Sequence, residues 1–357
     1  MKRHLKTMAL LGGSLLSVMA FGPGGASAQT ALSWVDGNPN RGARAETYEW
    51  FADELAKQSN GEVKVDFHWA GALLKWSATT VGVGSGSADV GTIVAAYNPK
   101  ELTGYSIGDL PLANSDIWVG MRAIYELATT HPALQKMWDD LNLVYLTNVT
   151  TGAVQLLCKN THVETTDDLK GLKIRAVGPY GQAFSDFGAN VVRMEQPKVY
   201  SALDSGVVDC NMNYMTAIDA LKQNEVAKKL TRLDWGQNLA FGVVMNKNSF
   251  NNLTPEQQKL VRDLSSEFID VHAKASIEAY DKSFKAITEG ADAVEVAKMT
   301  PEAQAKLEAQ GMKYFDSWVE RANDAGLPGQ DIFDTYLKLV AKYEEIRDTK
   351  GYPWAPK

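Results

Sequence analysis

The stretch DLKGLKIRAVGPYGQAF, Asp168 to Phe184, is followed by VVRMEQPKVYSALDSGVVDCNMN, Val191 to Asn213. Short apolar runs alternate with helix-forming runs, which predicts strand, helix, strand, helix, strand and hence an α/β sheet. Ile174, Arg175 and Ala176 end the first strand. Gly178 and Pro179 then turn the chain into a helix near Tyr180, and Val207 to Asp209 read as the last strand. Arg175 is thereby presented at the carboxyl-terminal edge of a strand, where open α/β sheets bind their ligands. Its planar, permanently charged fork matches a carboxylate.

Outward from this stretch, the first half of the chain reads βαβ. Strands are expected at Ala31–Val35, Glu62–His68 and Ala88–Val94, with helices at Arg41–Gln58 and near Lys75–Ser85 between them. Helices at Ile117–Ala128 and Pro132–Leu141 and a strand at Val144–Asn148 follow, and the second half opens with a strand at Val154–Cys158. After a strand at Leu239–Met245, Thr254, Pro255 and Gln257 supply an N-cap, a first-turn proline and a capping-box partner. The periodic pattern then runs unbroken to about Glu289, long enough to cross between two domains. Two more helices are expected, one capped at Thr300-Pro301 and one at Asp331–Arg347.

Met1 to Ala28 has the layout of a secretory signal: Lys2, Arg3 and Lys6, an apolar run from Met8 to Phe21, and small residues ending at Ala28. Cleavage after Ala28 would give an exported, periplasmic product, and no cysteine lies near the junction for lipid attachment. It removes three positive charges and no acid, moving the formal charge from −7 to −10. An acidic surface without basic clusters argues against nucleic acid or anionic lipid as partners. It also means that an anion must be captured locally, against the overall field. Cys158 and Cys210 are the two cysteines, and their bridging is left open. The histidines beyond the leader, His68, His131, His162 and His272, lack zinc-like spacing.

The motif stretch resembles the solute-binding subunits of tripartite ATP-independent periplasmic (TRAP) transporters, the DctP family. The shared pattern is DLKGxKIR, a GA turn at Gly188-Ala189, a VYSAL helix at Val199–Leu203 and GVVD at Gly206–Asp209, with SNGEVKV at Ser59–Val65 upstream. The resemblance implies a two-domain periplasmic binding protein fold, class II-like, with a long helix spanning both domains. Domain I would comprise residues 29–152 plus about 239–280, and domain II residues 153–238 plus about 281–357. It implies a small and a large integral membrane subunit as partners. It also assigns the substrate carboxylate to Arg175, with Asn213, in VDCNMNY, as the ligand-contacting amide.

Two departures bear on the ligand. Some members carry a second arginine twenty residues before the KIR arginine; here that place is Gln155, so one carboxylate is the firmer inference and Gln155 is left as a donor. Val94 and Tyr97 stand where those members use charged side chains, which suits a less hydroxylated acid. Another subgroup binds keto acids through a metal, using an acidic residue after the VDG-like strand. Asn211, Met212 and Asn213 offer no such carboxylate, so neither a metal nor another cofactor is expected. Asn38, Gln196, Trp76, Tyr214 and Trp235 complete the candidate site, the aromatics favouring an apolar or aromatic acid body.

The sequence thus reads as a periplasmic receptor that closes on an organic acid and hands it to a transporter. A receptor that signals instead of transporting would look the same. An exported hydrolase would need an activated nucleophile, and neither a GxSxG elbow nor paired carboxylates at a strand end is found. The glycines Gly82, Gly84 and Gly86 lack the lysine and hydroxyl of a nucleotide loop. Arg175→Ala is expected to abolish binding and leave the stability of the free protein nearly unchanged.

Overall fold

The computed structural model describes residues 29–112 and 114–355. The leader, with its cleavage site, lies outside the described residues. In chain order, β1 (Thr30–Val35), α1 (Gly42–Gln58), β2 (Val63–His68), α2 (Trp76–Gly84) and β3 (Val90–Val94) form the opening βαβ unit. Helices α3 (Ile117–Thr130) and α4 (Pro132–Asp140) lead into β4 (Leu143–Val149). The chain then crosses to β5 (Val154–Cys158), β6 (Lys173–Arg175), α5 (Gly178–Asp186), β7 (Asn190–Val192), α6 (Val199–Asp204), β8 (Cys210–Asn213), α7 (Met215–Ala220) and β9 (Lys229–Trp235). It returns as β10 (Phe241–Asn246), α8 (Lys247–Asn251) and α9 (Pro255–Glu289), and ends with β11 (Glu295–Lys298), α10 (Pro301–Asp324) and α11 (Gly329–Lys350).

Two sheets result, ordered β2-β1-β3-β10-β4 and β11-β9-β5-β8-β6-β7. β1 pairs in parallel with β2 and β3, as the βαβ reading requires, and β10 runs antiparallel between β3 and β4. In the second sheet β6 lies parallel to β7 and β8, so Arg175 does stand at a carboxyl-terminal strand edge. Apolar cores fill the faces of each sheet. One is built around Trp34, Tyr48 and Phe268, and another around Ile174, Tyr180 and Trp235.

The long helix α9 spans 35 residues, with both halves of its capping box made by Thr254 and Gln257. It packs on α1, α3 and β4 beside the first sheet and on α7 beside the second. Two further crossings, residues 150–153 and 236–240, run side by side. They are joined by Thr151 N–H to the Asn238 carbonyl at 3.2 Å and Asn238 N–H to Thr151 Oγ1 at 2.9 Å.

The structure departs from the sequence reading in three places. The strand read at Val207–Asp209 lies at Cys210–Asn213; Val207 is exposed, and the Asp209 carboxylate accepts from the Lys173 N–H instead. The final helix, grouped by sequence with the second domain, packs on α3 through Ile332, Tyr336, Leu339 and Val340. A parallel edge strand at Glu295–Lys298 has mostly exposed side chains and gave no apolar signal. The question left open by the cysteines is settled: Cys158 and Cys210 oppose each other on β5 and β8 and are bridged.

Candidate functional site

Arg175 is buried between the sheets, and no carboxylate pairs with it among the described residues. Its Nε and Nη2 donate to the Met194 carbonyl, both at 3.0 Å, and Nη1 reaches the Met212 carbonyl at 3.4 Å. Nη2 also donates to the Tyr97 hydroxyl at 2.8 Å. Of five guanidinium N–H groups, one on Nη1 is therefore left over. Met194 follows β7 and Met212 lies on β8, so the second sheet aims the fork. Tyr97 follows β3 and comes from the first.

The Tyr97 oxygen accepts a second hydrogen bond, from the Gln196 N–H at 3.2 Å. Its own proton has no acceptor among the described residues. Behind the phenol, Trp76 stacks at 5.7 Å with 22° between the planes, and Phe241 meets Trp76 edge-on at 6.0 Å. Arg175, Tyr97, Trp76, Gln196, Asn213 and Tyr214 all line one narrow cavity of about 30 Å³. Gln196 and Trp76 are more than nine-tenths buried, yet Nε2 and Oε1 of Gln196 and Nε1 of Trp76 have no partner among the described residues. Buried donors that fold without acceptors cost free energy, and a ligand oxygen would satisfy them. The rest of the lining is mostly apolar: Val94, Ala96, Val154, Val177, Met212 and Phe241.

Six of the nine residues picked from sequence thus share the cavity, and three do not. Gln155 has its oxygen taken by the N–H groups of Leu233 and Asp234 and its nitrogen by the Asp234 carboxylate at 2.8 Å, so it holds the irregular pairing of β5 with β9. Trp235 is in the core of the second lobe, edge-on to Tyr180 and Phe184. Asn38 lies in a separate recess of about 50 Å³ beside Arg44 and His272, on the far side of Tyr214 and Phe241. Asn213 points its amide nitrogen at Gln223, 2.7 Å away, which leaves one N–H of that amide for a ligand. Asp109 and Asn238, not singled out from sequence, also line the cavity; Asp109 ends a 3-10 turn at Tyr105–Asp109 and Asn238 lies in a crossing segment, neither with a motif around it.

Next to the cavity, and sharing Ala96, Tyr97, Asp109 and Val177 with it, a wider cleft of about 490 Å³ opens. The inner cavity is thus small and mostly apolar, with the Arg175 fork in its wall. Residues 38–321 match the model of the bacterial extracellular solute-binding proteins, family 7, DctP. The chain belongs to that family.

A solute-binding protein of Albidiferax ferrireducens is 26% identical over 269 residues, covering 72% of each chain. A TRAP periplasmic solute-binding protein of Desulfovibrio salexigens is 26% identical, with a TM-score of 0.76 over 89% of this chain and 97% of that one. It was solved as an open complex with the C-terminus of a symmetry mate in its ligand-binding site. A marine metagenome TRAP protein specific for aromatic acids, in complex with metahydroxyphenylacetate, shares the fold at TM-score 0.78 and 21% identity, covering 88% of this chain and all of that one. The present chain is therefore a TRAP solute-binding protein. Its family is one of receptors that work with membrane subunits, not of enzymes.

Proposed function

We propose that the chain, exported to the periplasm and cleaved after Ala28, captures a small monocarboxylate with its carboxylate at Arg175 and its body reaching into the adjoining cleft of about 490 Å³, and delivers it to the small and large membrane subunits. One observation carries this reading. Three donors without acceptors, the Tyr97 O–H, Trp76 Nε1 and Gln196 Nε2, line one cavity with the spare N–H of Arg175. A carboxylate satisfies that set, and the Trp76, Tyr97 and Phe241 rings accept an apolar body. The lobes are residues 29–152 with the first part of α9 and 153–238 with its last part, α11 joining the first lobe. Because Tyr97 and Arg175 come from different lobes, the acid contacts both only when they close, and so selects the closed form. The site works by binding, with no catalytic step.

A thermal-shift screen across monocarboxylates, dicarboxylates, hydroxy acids, sulfonates and aromatic acids tests this. A ligand that binds only the folded state raises apparent stability by mass action. Monocarboxylates should stabilise the wild type and leave Arg175→Ala unmoved. Stabilisation confined to sulfonates or neutral solutes would overturn the assignment.

A further inference from the structure

Asp109 is a carboxyl buried where an anion is to be bound. It lines both the inner cavity and the outer cleft and is 4% exposed. Among the described residues its only hydrogen bonds are to backbone: Oδ1 accepts from the Ala240 N–H at 3.1 Å, and the Leu239 N–H lies beside it. No side chain bonds to it and no cation pairs with it among the described residues. The titratable groups around it do not supply a counter-charge. Tyr105 in the same 3-10 turn, Tyr180 on α5 and Tyr336 on α11 are phenols that burial keeps neutral. Arg175 across the inner cavity spends four of its five N–H groups on Met194, Met212 and Tyr97 and forms no ion pair with Asp109. Arg193, Glu195 and Lys198 before α6 and Arg321 on α10 line the outer cleft without forming an ion pair with it.

Burying an unpaired carboxylate is costly unless something later pairs with it. Here the missing partner faces the ligand space. We propose that Asp109 is a specificity-determining residue that accepts a hydrogen bond from a hydroxyl or ammonium group on the bound acid, so that the site reads a carboxylate at Arg175 and a donor at Asp109. This rests on the assignment of the carboxylate to Arg175. An acid lacking the donor would leave the Asp109 carboxylate buried without a partner, and binds tightly only if Asp109 takes up a proton. Desolvation already pushes that carboxyl up to about 7, so the proton is available at modest cost near neutrality and scarce at pH 8.

The competing role is structural, a cap on the crossing segment at Ala240, and the amide oxygen of asparagine would serve it equally. The test compares matched pairs, mandelate with phenylacetate and 3-hydroxybenzoate with benzoate, by calorimetry at pH 8 and pH 6. Wild type should prefer the hydroxylated member of at least one pair by ten-fold or more at pH 8, with a smaller ratio at pH 6. Asp109→Asn should bind the plain acid as tightly at pH 8 as at pH 6. If that variant does not fold, the wild type alone decides. Titrations in buffers of different ionisation heat should show uptake of nearly one proton with the plain acid at pH 8 and none with its hydroxylated partner. Equal affinities within both pairs at pH 8, or no proton uptake with any plain acid, overturns the proposal. If Arg175→Ala binds these acids as tightly as the wild type does, the carboxylate assignment itself fails and takes this inference with it.

Discussion

The phenolic oxygen of Tyr97 lies 2.8 Å from Nη2 of Arg175 and 3.2 Å from the Gln196 amide nitrogen, so one hydroxyl from the first lobe bonds two groups of the second. Besides it, the Ser77 N–H donates to Glu195 across the same gap at 3.1 Å. Closure therefore has a polar latch built into the binding site itself. Tyr97→Phe keeps the ring stack on Trp76 and deletes the latch. Losing these bonds at about 1 kcal/mol each should shift the free protein toward the open form and weaken acid binding roughly 5- to 30-fold. Small-angle scattering of the free variant should show a larger radius of gyration than wild type. An unchanged radius with unchanged affinity would contradict the latch.

Arg175 has a structural duty as well as the binding one. Its sequence position suggested an arginine free to leave, but the carbonyls of Met194 and Met212 depend on it. Arg175→Ala should cost about 2–5 kcal/mol of binding. It should also lower the free protein's stability by about 1–3 kcal/mol, because the buried Met212 carbonyl and the partly buried Met194 carbonyl lose their donor. Urea unfolding without ligand measures the second quantity, and an unchanged midpoint would restore the simpler reading.

The sequence was legible where one periodicity dominated. The 35-residue α9 announced its start through Thr254, Pro255 and Gln257 and its reach through an unbroken helical pattern. The KIR strand and the turn at Gly178 likewise carried local signals. What failed was any inference from spacing about where a side chain points. Gln155 occupies a position at which a donor could face the ligand, but the register shift between β5 and β9 leaves two N–H groups that its oxygen must satisfy. The reading of Val207–Asp209 as a strand followed β-branched composition, while the actual strand, Cys210–Asn213, is polar at two of four positions because Asn211 and Asn213 share Gln223. Asp109 gave no signal, since an acid at the end of a short 3-10 turn is ordinarily solvated. Only the packing of Tyr105, Tyr180 and Tyr336 around it makes it unusual.

The Cys158–Cys210 bridge joins adjacent antiparallel strands and closes a loop with a sequence separation of 52 residues, which contains β6, β7 and the binding arginine. Removing that constraint from the unfolded chain should cost about 4 kcal/mol on the loop-entropy relation. Replacing both cysteines with serine should lower the urea midpoint accordingly and leave the affinity of the folded fraction near wild type. A midpoint within error of wild type would show that the bridge contributes nothing to stability.

His272 on α9 is buried between Thr47, 2.8 Å from Nδ1, and Ser276, 3.1 Å from Nε2. Desolvation, helped by the nearby Arg44 charge, lowers its pKa to about 3. The folded state thus refuses a proton that the unfolded chain takes below about 6.5. The associated stability is fully present above that value and declines as pH falls toward 3; Asp109, raised to about 7, works in the opposite direction as pH rises. Comparing wild type with His272→Gln isolates the histidine. At pH 4.5 the wild type should have lost about 2–3 kcal/mol more, relative to pH 7, than the variant. Parallel pH dependences would mean that His272 is protonated in the folded protein.

Gly37, just after β1, faces the indole that lines the cavity. A Cβ there would lie 2.6 Å from the Trp76 ring, and the glycine needs no special backbone angle, so space alone forbids a side chain. Gly37→Ala must therefore displace a rigid ring that stacks on Tyr97 and meets Phe241 edge-on. Overpacking of this kind costs about 1–3 kcal/mol. Because the displaced group is the cavity wall, acid affinity should fall at least ten-fold alongside a smaller loss of stability. Trp76→Phe in the same chain frees the colliding volume, so the double variant should recover most of the stability lost by Gly37→Ala while remaining weak in binding, having lost the indole N–H. Additive stability losses in that double-mutant cycle would show that the two residues do not press on each other.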